Sequence, residues 1–188
     1  MKILAFFLLL CLPWEIYAVP AQIVVIRHGE KNLKVEEYGL NALGRTRAAA
    51  LGVLLSQSPE LVVFGAPAAL FAVHADPVKY DTVRTTETLL ELSKLTKLDI
   101  QTPFILRDTE ALGAEILKNP KYDNKYLVVC WEHHFIPELL EALGVKEKVK
   151  VVKSHVFDRM WILQYNPDGT LKSFKNAPQR LLFGDTRQ

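Results

Sequence analysis

Short apolar runs alternate with amphipathic stretches along most of the chain. Residues 22–26 and 126–131 are nearly continuous apolar runs with many β-branched side chains, which is the pattern of strands buried on both faces. Shorter apolar runs predict further strands at residues 61–64, 69–73 and 100–104. The stretches between them predict helices at residues 40–56, 82–95 and 109–118, and a fourth helix that opens at Pro137 and closes at Gly144.

The C-terminal part has a different pattern. Residues 160–165 and 171–174 flank the tetrapeptide N-P-D-G at 166–169, which is typical of a tight turn and predicts a β-hairpin. Alternating strands and helices predict an α/β fold whose central sheet is mostly parallel, with helices on both faces and the antiparallel hairpin at the sheet edge. In such sheets ligands bind beyond the carboxyl ends of the strands, so functional residues should directly follow the buried strands.

The N-terminus has the pattern of a signal peptide. Lys2 precedes an apolar run at residues 3–12, which Pro13 breaks and which is shorter than a bilayer span. We predict a signal peptide at residues 1–18 and a domain at residues 19–188, with cleavage after Ala18 or, alternatively, after Ala21. Export would place the protein outside the cell or in the periplasm, with no stable membrane insertion after cleavage. A buried N-terminal helix or strand is the alternative.

Charge and cysteine content add two limits. Removal of 18 of the 188 residues leaves 170, the size of one domain, and takes away one lysine and one glutamate, so the net charge stays at +2. That charge is too small to predict nucleic acid as a partner. Cys130 is the one cysteine left after cleavage, which excludes an internal disulfide in the mature chain.

A polar pentapeptide, R-H-G-E-K at residues 27–31, follows the first strand directly. The planar guanidinium of Arg27 offers several donors that suit phosphate oxygens. Gly29 allows a sharp turn and the close approach of a ligand. By itself the pentapeptide is equally compatible with a solvated strand end.

Three later parts of the sequence contain further candidate functional residues. The segment L-N-A-L-G-R-T-R-A at residues 40–48 has Asn41 as the expected N-cap of a helix, and R-T-T-E-T at residues 84–88 begins with Arg84. The apolar run at 126–131 ends at Trp131 and is followed directly by Glu132, His133 and His134.

These segments resemble the signature of the histidine phosphatase superfamily, also called phosphoglycerate-mutase-like. The resemblance covers about residues 22–144. It implies that His28 is a nucleophile that becomes transiently phosphorylated, that Arg27 and Arg84 clamp the phosphoryl group, and that His133 is the second catalytic histidine. Tyr80 stands where the family has a serine. The remaining predicted substrate-binding residues are Gly29, Glu30, Lys31, Glu132 and His134.

Three assignments stay open at this point. His134 competes with His133 as the second histidine. Two adjacent histidines can also bind a metal ion. However, no third ligand has a convincing spacing, and the arginines favour an anion. We therefore predict no metal. The acid that protonates the leaving oxygen is predicted to be Glu110, in a segment that resembles the E-R-x-x-G of the family, with Asp108 and Glu132 as rivals.

The sequence therefore predicts a phosphomonoester hydrolase that works through a phosphohistidine on His28 and needs no cofactor. Its partner would be a small phosphorylated substrate, whose identity, like the oligomeric state, the sequence leaves open. The alternatives are a phosphotransferase of the phosphoglycerate mutase type and a non-catalytic phosphate- or polyanion-binding module of the same fold.

Overall fold

The computed structural model describes residues 19–32, 38–75 and 83–186, so the predicted signal peptide lies outside the described residues. The strands are β1 (Gln22–Arg27), β2 (Ala69–Ala72), β3 (Ile100–Gln101), β4 (Tyr126–Trp131), β5 (Arg159–Tyr165) and β6 (Leu171–Pro178). The helices are α1 (Ala42–Gln57), α2 (Val83–Thr96), α3 (Thr109–Lys118) and α4 (Ile136–Ala142), and two short 3₁₀ turns span Val62–Phe64 and Pro120–Tyr122. None of the helices in these ranges is long and apolar enough to cross a membrane.

The described strands form one sheet in the order β3-β2-β4-β1-β5-β6. The first four are parallel to one another, β5 runs antiparallel to β1, and β6 runs antiparallel to β5. This confirms the predicted fold class, including the C-terminal hairpin, which places β6 at the edge of the sheet.

Alternate side chains of β1 enter two separate cores, one on each face of the sheet. Val24 and Ile26 belong to the core with the apolar residues of α1 and α2, whereas Ile23 and Val25 belong to the core with those of α3 and α4. Every residue of β1 and of β4 is buried. The nearly continuous apolar composition of both strands therefore follows from their position between two layers of helices.

One predicted strand is wrong and another is shorter than expected. Within residues 61–64, Leu61 is buried but Val63 is 64% exposed, and the backbone forms a 3₁₀ turn at Val62–Phe64. The amides of Leu61 and Val62 bond to the carbonyl of Ser58 at the end of α1, so the segment continues a helix end instead of pairing in the sheet. The run at 100–104 contributes only the two residues of β3.

The start of α1 is fitted tightly against the turn that follows β1. As predicted, Asn41 caps the helix, accepting a hydrogen bond from the amide of Gly44 at 2.8 Å. A Cβ on Gly44 would lie 2.2 Å from the carbonyl oxygen of Glu30, and one on Gly29 would lie 2.9 Å from the carbonyl oxygen of Gly44. The two glycines allow this contact, which fixes the polar turn against the helix.

Candidate active site

The pairing of β1 with β4 brings the two histidine segments together. The strands are parallel and in register up to Arg27 opposite Trp131, so the residues that follow leave the sheet at the same edge. One nitrogen or oxygen atom from each of His28, Glu132 and His133 lies within 4.8 Å of the other two. The expectation that functional residues follow the buried strands therefore agrees with the geometry of this edge.

His28 is buried, with 1% of its surface exposed, and has a defined ring orientation. Its Nδ1 lies 2.7 Å from the carbonyl oxygen of Gly29, which can only accept a hydrogen bond. Nδ1 therefore carries the proton, and Nε2 keeps a lone pair. Burial lowers the pKa of His28 to about 3, and the charges of Arg27 and Arg84 act in the same direction. The ring is therefore neutral at neutral pH, with the lone pair of Nε2 free of a proton.

Arg27 is a buried cation with unused hydrogen-bond donors. Its guanidinium lies over the ring of Phe157 at 4.0 Å, and Nη1 donates to the carbonyl oxygens of Val156 at 2.7 Å and Lys153 at 3.2 Å. Nε and Nη2 are buried and have no hydrogen-bond partner within the described ranges. Burial lowers the pKa of Arg27 to about 10, which still leaves it charged at neutral pH. The arrangement offers two N–H groups to an anion.

Arg84 reaches the same site from the first turn of α2. It is buried, and its positive charge lowers the pKa of both Arg27 and His28, which places it near them. Thr88, one turn later, accepts a hydrogen bond from the amide of Gly29 at 2.9 Å and donates one to the carbonyl of Arg84 at 2.7 Å. These two bonds hold α2 against the turn that carries His28.

The two candidates for the second histidine have different environments. His133 is buried, with its Nδ1 in contact with a carboxylate oxygen of Glu132, whereas the side chain of His134 is 66% exposed. His134 donates its amide to the Glu132 carboxylate at 2.8 Å. Burial and the charge of Arg27 lower the pKa of His133 to about 4, so the ring is neutral at neutral pH. The geometry favours His133 as the residue that faces His28.

The three candidate acids have different surroundings. Glu110 lies exposed on the first turn of α3, and no described contact joins it to His28. Asp108 precedes that helix, but its carboxylate accepts a hydrogen bond from the amide of Ile105 and makes no side-chain cap. Glu132 alone of the three shares the cluster with His28 and His133 in the part of the chain that the structure describes. The geometry therefore favours Glu132 over Glu110.

The carboxylate of Glu30 is directed away from a ligand role. Nε and Nη2 of Arg47 donate to it at 2.7–3.0 Å, and the same guanidinium binds Asp185 at 2.7 and 3.0 Å and Gln179 at 3.0 Å. Burial opposes the charge on Arg47, but the bonds to Asp185 and Glu30 outweigh it and raise the pKa of Arg47. The predicted contact of Glu30 with substrate does not fit this geometry. Glu30 instead ties the catalytic turn to α1 and to the C-terminal segment.

Gly29 and Lys31, which were also predicted to bind substrate, lie in the same turn as Glu30. The amide of Gly29 donates a hydrogen bond to the hydroxyl of Thr88. Lys31 is partly exposed, and its carbonyl accepts a hydrogen bond from the side-chain amide of Asn41 at 3.1 Å.

Nothing in the sequence indicates Phe157 or the carbonyls of Lys153 and Val156 as parts of the site. They lie in an irregular segment whose composition carries no signal. Arg47 belongs to the segment at 40–48, but its role became evident only once the structure showed its acidic partners Glu30 and Asp185.

His28 is a third potential metal ligand, which the spacing along the chain did not indicate. It lies more than a hundred positions before His133 but joins it and Glu132 in one cluster. Whether the protein functions without a metal stays a prediction.

Comparison with known proteins identifies the fold. No family description matches the chain by sequence, and no curated protein matches it. A mycobacterial glucosyl-3-phosphoglycerate phosphatase superposes with a TM-score of 0.55 at 14% identity, over 84% of this chain and 97% of that chain. The protein histidine phosphatase SixA, in complex with tungstate, gives 0.53 at 13% identity, over 84% and 97%. A phosphoglycerate mutase from Bacillus anthracis str. Sterne gives 0.50 at 14% identity, over 87% and 94%.

At these identities the likeness shows the fold alone. The chain has the fold shared by the histidine phosphatases and the phosphoglycerate mutases, as its motifs predict.

The pKa of His28 leads to a prediction about its titration. Because that pKa is lowered to about 3, the ring takes up a proton only below this value, whereas a free imidazole does so at about 6.5. The ring-proton NMR signals of His28, assigned by their loss in His28→Gln, should therefore not shift between pH 8 and pH 5. A titration midpoint near that of free imidazole would contradict the burial argument.

Proposed function

We propose that the protein is a phosphomonoester hydrolase of the histidine phosphatase type, with His28 as the nucleophile. The observation that carries the proposal is the buried guanidinium of Arg27, whose Nε and Nη2 have no partner in the described protein, beside the neutral ring of His28. A buried donor without a partner is costly, and a phosphoryl group would satisfy both donors at once.

In the first step Nε2 of His28 attacks the phosphorus atom, and the bond from phosphorus to the leaving oxygen breaks. Arg27 and Arg84 are positioned to neutralise charge on the equatorial oxygens. The approach of a dianion also raises the pKa of His133, because a nearby negative charge favours the protonated ring. His133 thereby becomes a third positive group only when substrate is present.

The leaving oxygen needs a proton, and we assign its donor as Glu132. Its carboxyl group lies in the cluster with His28, whereas Glu110 is exposed on α3. In the second step the Glu132 carboxylate takes a proton from water, the water oxygen bonds to phosphorus, and the N–P bond breaks. Phosphate leaves, His28 returns to its neutral state with the lone pair on Nε2, and Glu132 is protonated again. The steps balance without a cofactor.

The substrate class rests on charge and on the related folds. The net charge of +2 supports a small phosphorylated substrate over nucleic acid. The two similar phosphatases are named for different substrates, a glucosyl-phosphoglycerate and protein phosphohistidine. The identity of the substrate therefore has to come from a phosphate-release screen over sugar phosphates, inositol phosphates, nucleotides and phosphopeptides.

A mutase is the alternative within the same chemistry. It is favoured by the fold shared with a phosphoglycerate mutase, and the same phosphohistidine would serve it. A non-catalytic phosphate-binding module would keep the arginines and form no covalent intermediate.

The first prediction from this proposal concerns the intermediate. Wild-type protein mixed with labelled phosphomonoester should acquire a base-stable, acid-labile phosphate, and His28→Ala should lose both this label and hydrolysis, while the exposed-residue control His155→Ala keeps both. Hydrolysis retained in His28→Ala would overturn the mechanism, and absence of any label would favour the binding module. Transfer of phosphate from bisphosphoglycerate to phosphoglycerate, in place of release to water, would favour the mutase.

A second prediction separates the candidate acids. Glu132→Gln removes the proton donor, so kcat/KM, which reports the first phosphoryl transfer, should fall on the order of 10²–10⁴-fold for an alkyl phosphate. The loss should be smaller for 4-nitrophenyl phosphate, whose leaving group needs no proton. The matched control Glu138→Gln, on the exposed side of α4, should keep full activity. If Glu110→Gln shows this leaving-group dependence and Glu132→Gln does not, the assignment to Glu132 is wrong.

We also propose that the protein is exported, supported by the apolar run after Lys2 at residues 3–12. The full chain, expressed in a Gram-negative host, should appear in the periplasmic fraction with Val19 or Gln22 as its first residue by N-terminal sequencing. A chain that stays inside the cell and begins at Met1 would contradict the proposal.

A further inference from the structure

The catalytic cluster has a second chemical capacity, independent of phosphate. His28, Glu132 and His133 offer two imidazoles and one carboxylate, with one ligand atom from each within 4.8 Å of the others. Two histidines and a glutamate form a common protein ligand set for zinc, and their N and O donors suit late first-row metals better than Mg²⁺ or Ca²⁺.

The nitrogen of His28 is oriented as a metal ligand requires. The Nδ1–H group donates a hydrogen bond to the carbonyl of Gly29 at 2.7 Å, so the lone pair is on Nε2. Ligating histidines generally donate their other ring N–H to a carbonyl or carboxylate in this way, which fixes the tautomer and the ring orientation. The bond that prepares His28 to attack phosphorus therefore also prepares it to bind a metal.

Glu132 supplies the negative charge that a dication needs. Its carboxylate contacts Nδ1 of His133 and lies 3.1 Å from Nδ1 of His134. Zinc bonds of about 2.0–2.2 Å require ligand atoms roughly 3.3 Å apart. Small side-chain rotations that close the widest gap and separate the Glu132 carboxylate from Nδ1 of His133 would complete the site. Arg27 and Arg84 oppose a bare dication, which makes an anion the natural fourth ligand.

We propose that His28, Glu132 and His133 form a Zn²⁺ site, and that Zn²⁺ inhibits the enzyme by occupying the lone pair of the nucleophile. The binding part of this proposal stands on the cluster alone, whereas the inhibition part rests on the proposed phosphatase function.

Direct binding is tested with ZnCl₂ by calorimetry on the folded protein purified after expression of the full chain. One ion per chain is expected, with the ring signals of His28 and His133 shifting in NMR spectra. Affinity should fall on the order of tenfold or more in Glu132→Gln and in His133→Gln, and stay unchanged in the exposed control His155→Gln. Thermal melts of each variant establish that it is folded, and MgCl₂ should produce neither binding nor inhibition.

The outcomes separate the two proposals. Zinc that binds with wild-type affinity to Glu132→Gln and His133→Gln, or no binding to the wild type, would overturn the metal site. Phosphatase activity that zinc leaves unchanged, or that a chelator does not restore after zinc, would overturn the inhibition. If the protein binds zinc through these residues but hydrolyses no phosphate ester, the metal site stands and the proposed function fails.

Discussion

The parallel pairing of β1 with β4 is the constraint on which the rest of the site depends. Both strands are buried along their whole length between two layers of helices, so their register is set by packing on two faces. A shift of one residue would turn apolar side chains into the wrong core and would also separate His28 from His133. The energy that holds the site together is therefore largely the burial of apolar strand residues.

The electrostatics of the site follow from burial. Arg27 stays charged, whereas His28 and His133 lose their tendency to take up a proton, so the free site holds buried cations beside neutral imidazoles. Such a site favours an anion, because an anion would satisfy the two Arg27 donors that have no partner among the described residues. Arg47 has the opposite situation. Its three nitrogens donate hydrogen bonds to Glu30, Asp185 and Gln179, and it ties the turn that carries His28 to the C-terminal segment.

Much of this was readable from the sequence, for a physical reason. Strands buried on both faces leave long apolar runs, and the polar residues that follow them mark the edge of the sheet, which is why the sequence predicts that His28 and His133 meet there. The prediction of a strand at 61–64 was wrong because apolar composition does not specify a pairing partner. The backbone amides of this segment bond to the carbonyl of Ser58 instead. Phe157 and the carbonyls that hold Arg27 were beyond reach, since a backbone acceptor in an irregular segment leaves no trace in residue type.

The acid shows where motif and geometry diverge. Glu110 was favoured by its distance from a glycine in a loosely matching segment, but α3 presents it to solvent. Glu132 had no motif in its favour and only its position after β4, and a proton donor has to be near the atom it serves. The same position places its carboxylate between two imidazoles, where it suits both a proton and a metal ion. The same three side chains, His28, Glu132 and His133, that we propose for phosphate chemistry therefore also form the proposed ligand set for zinc.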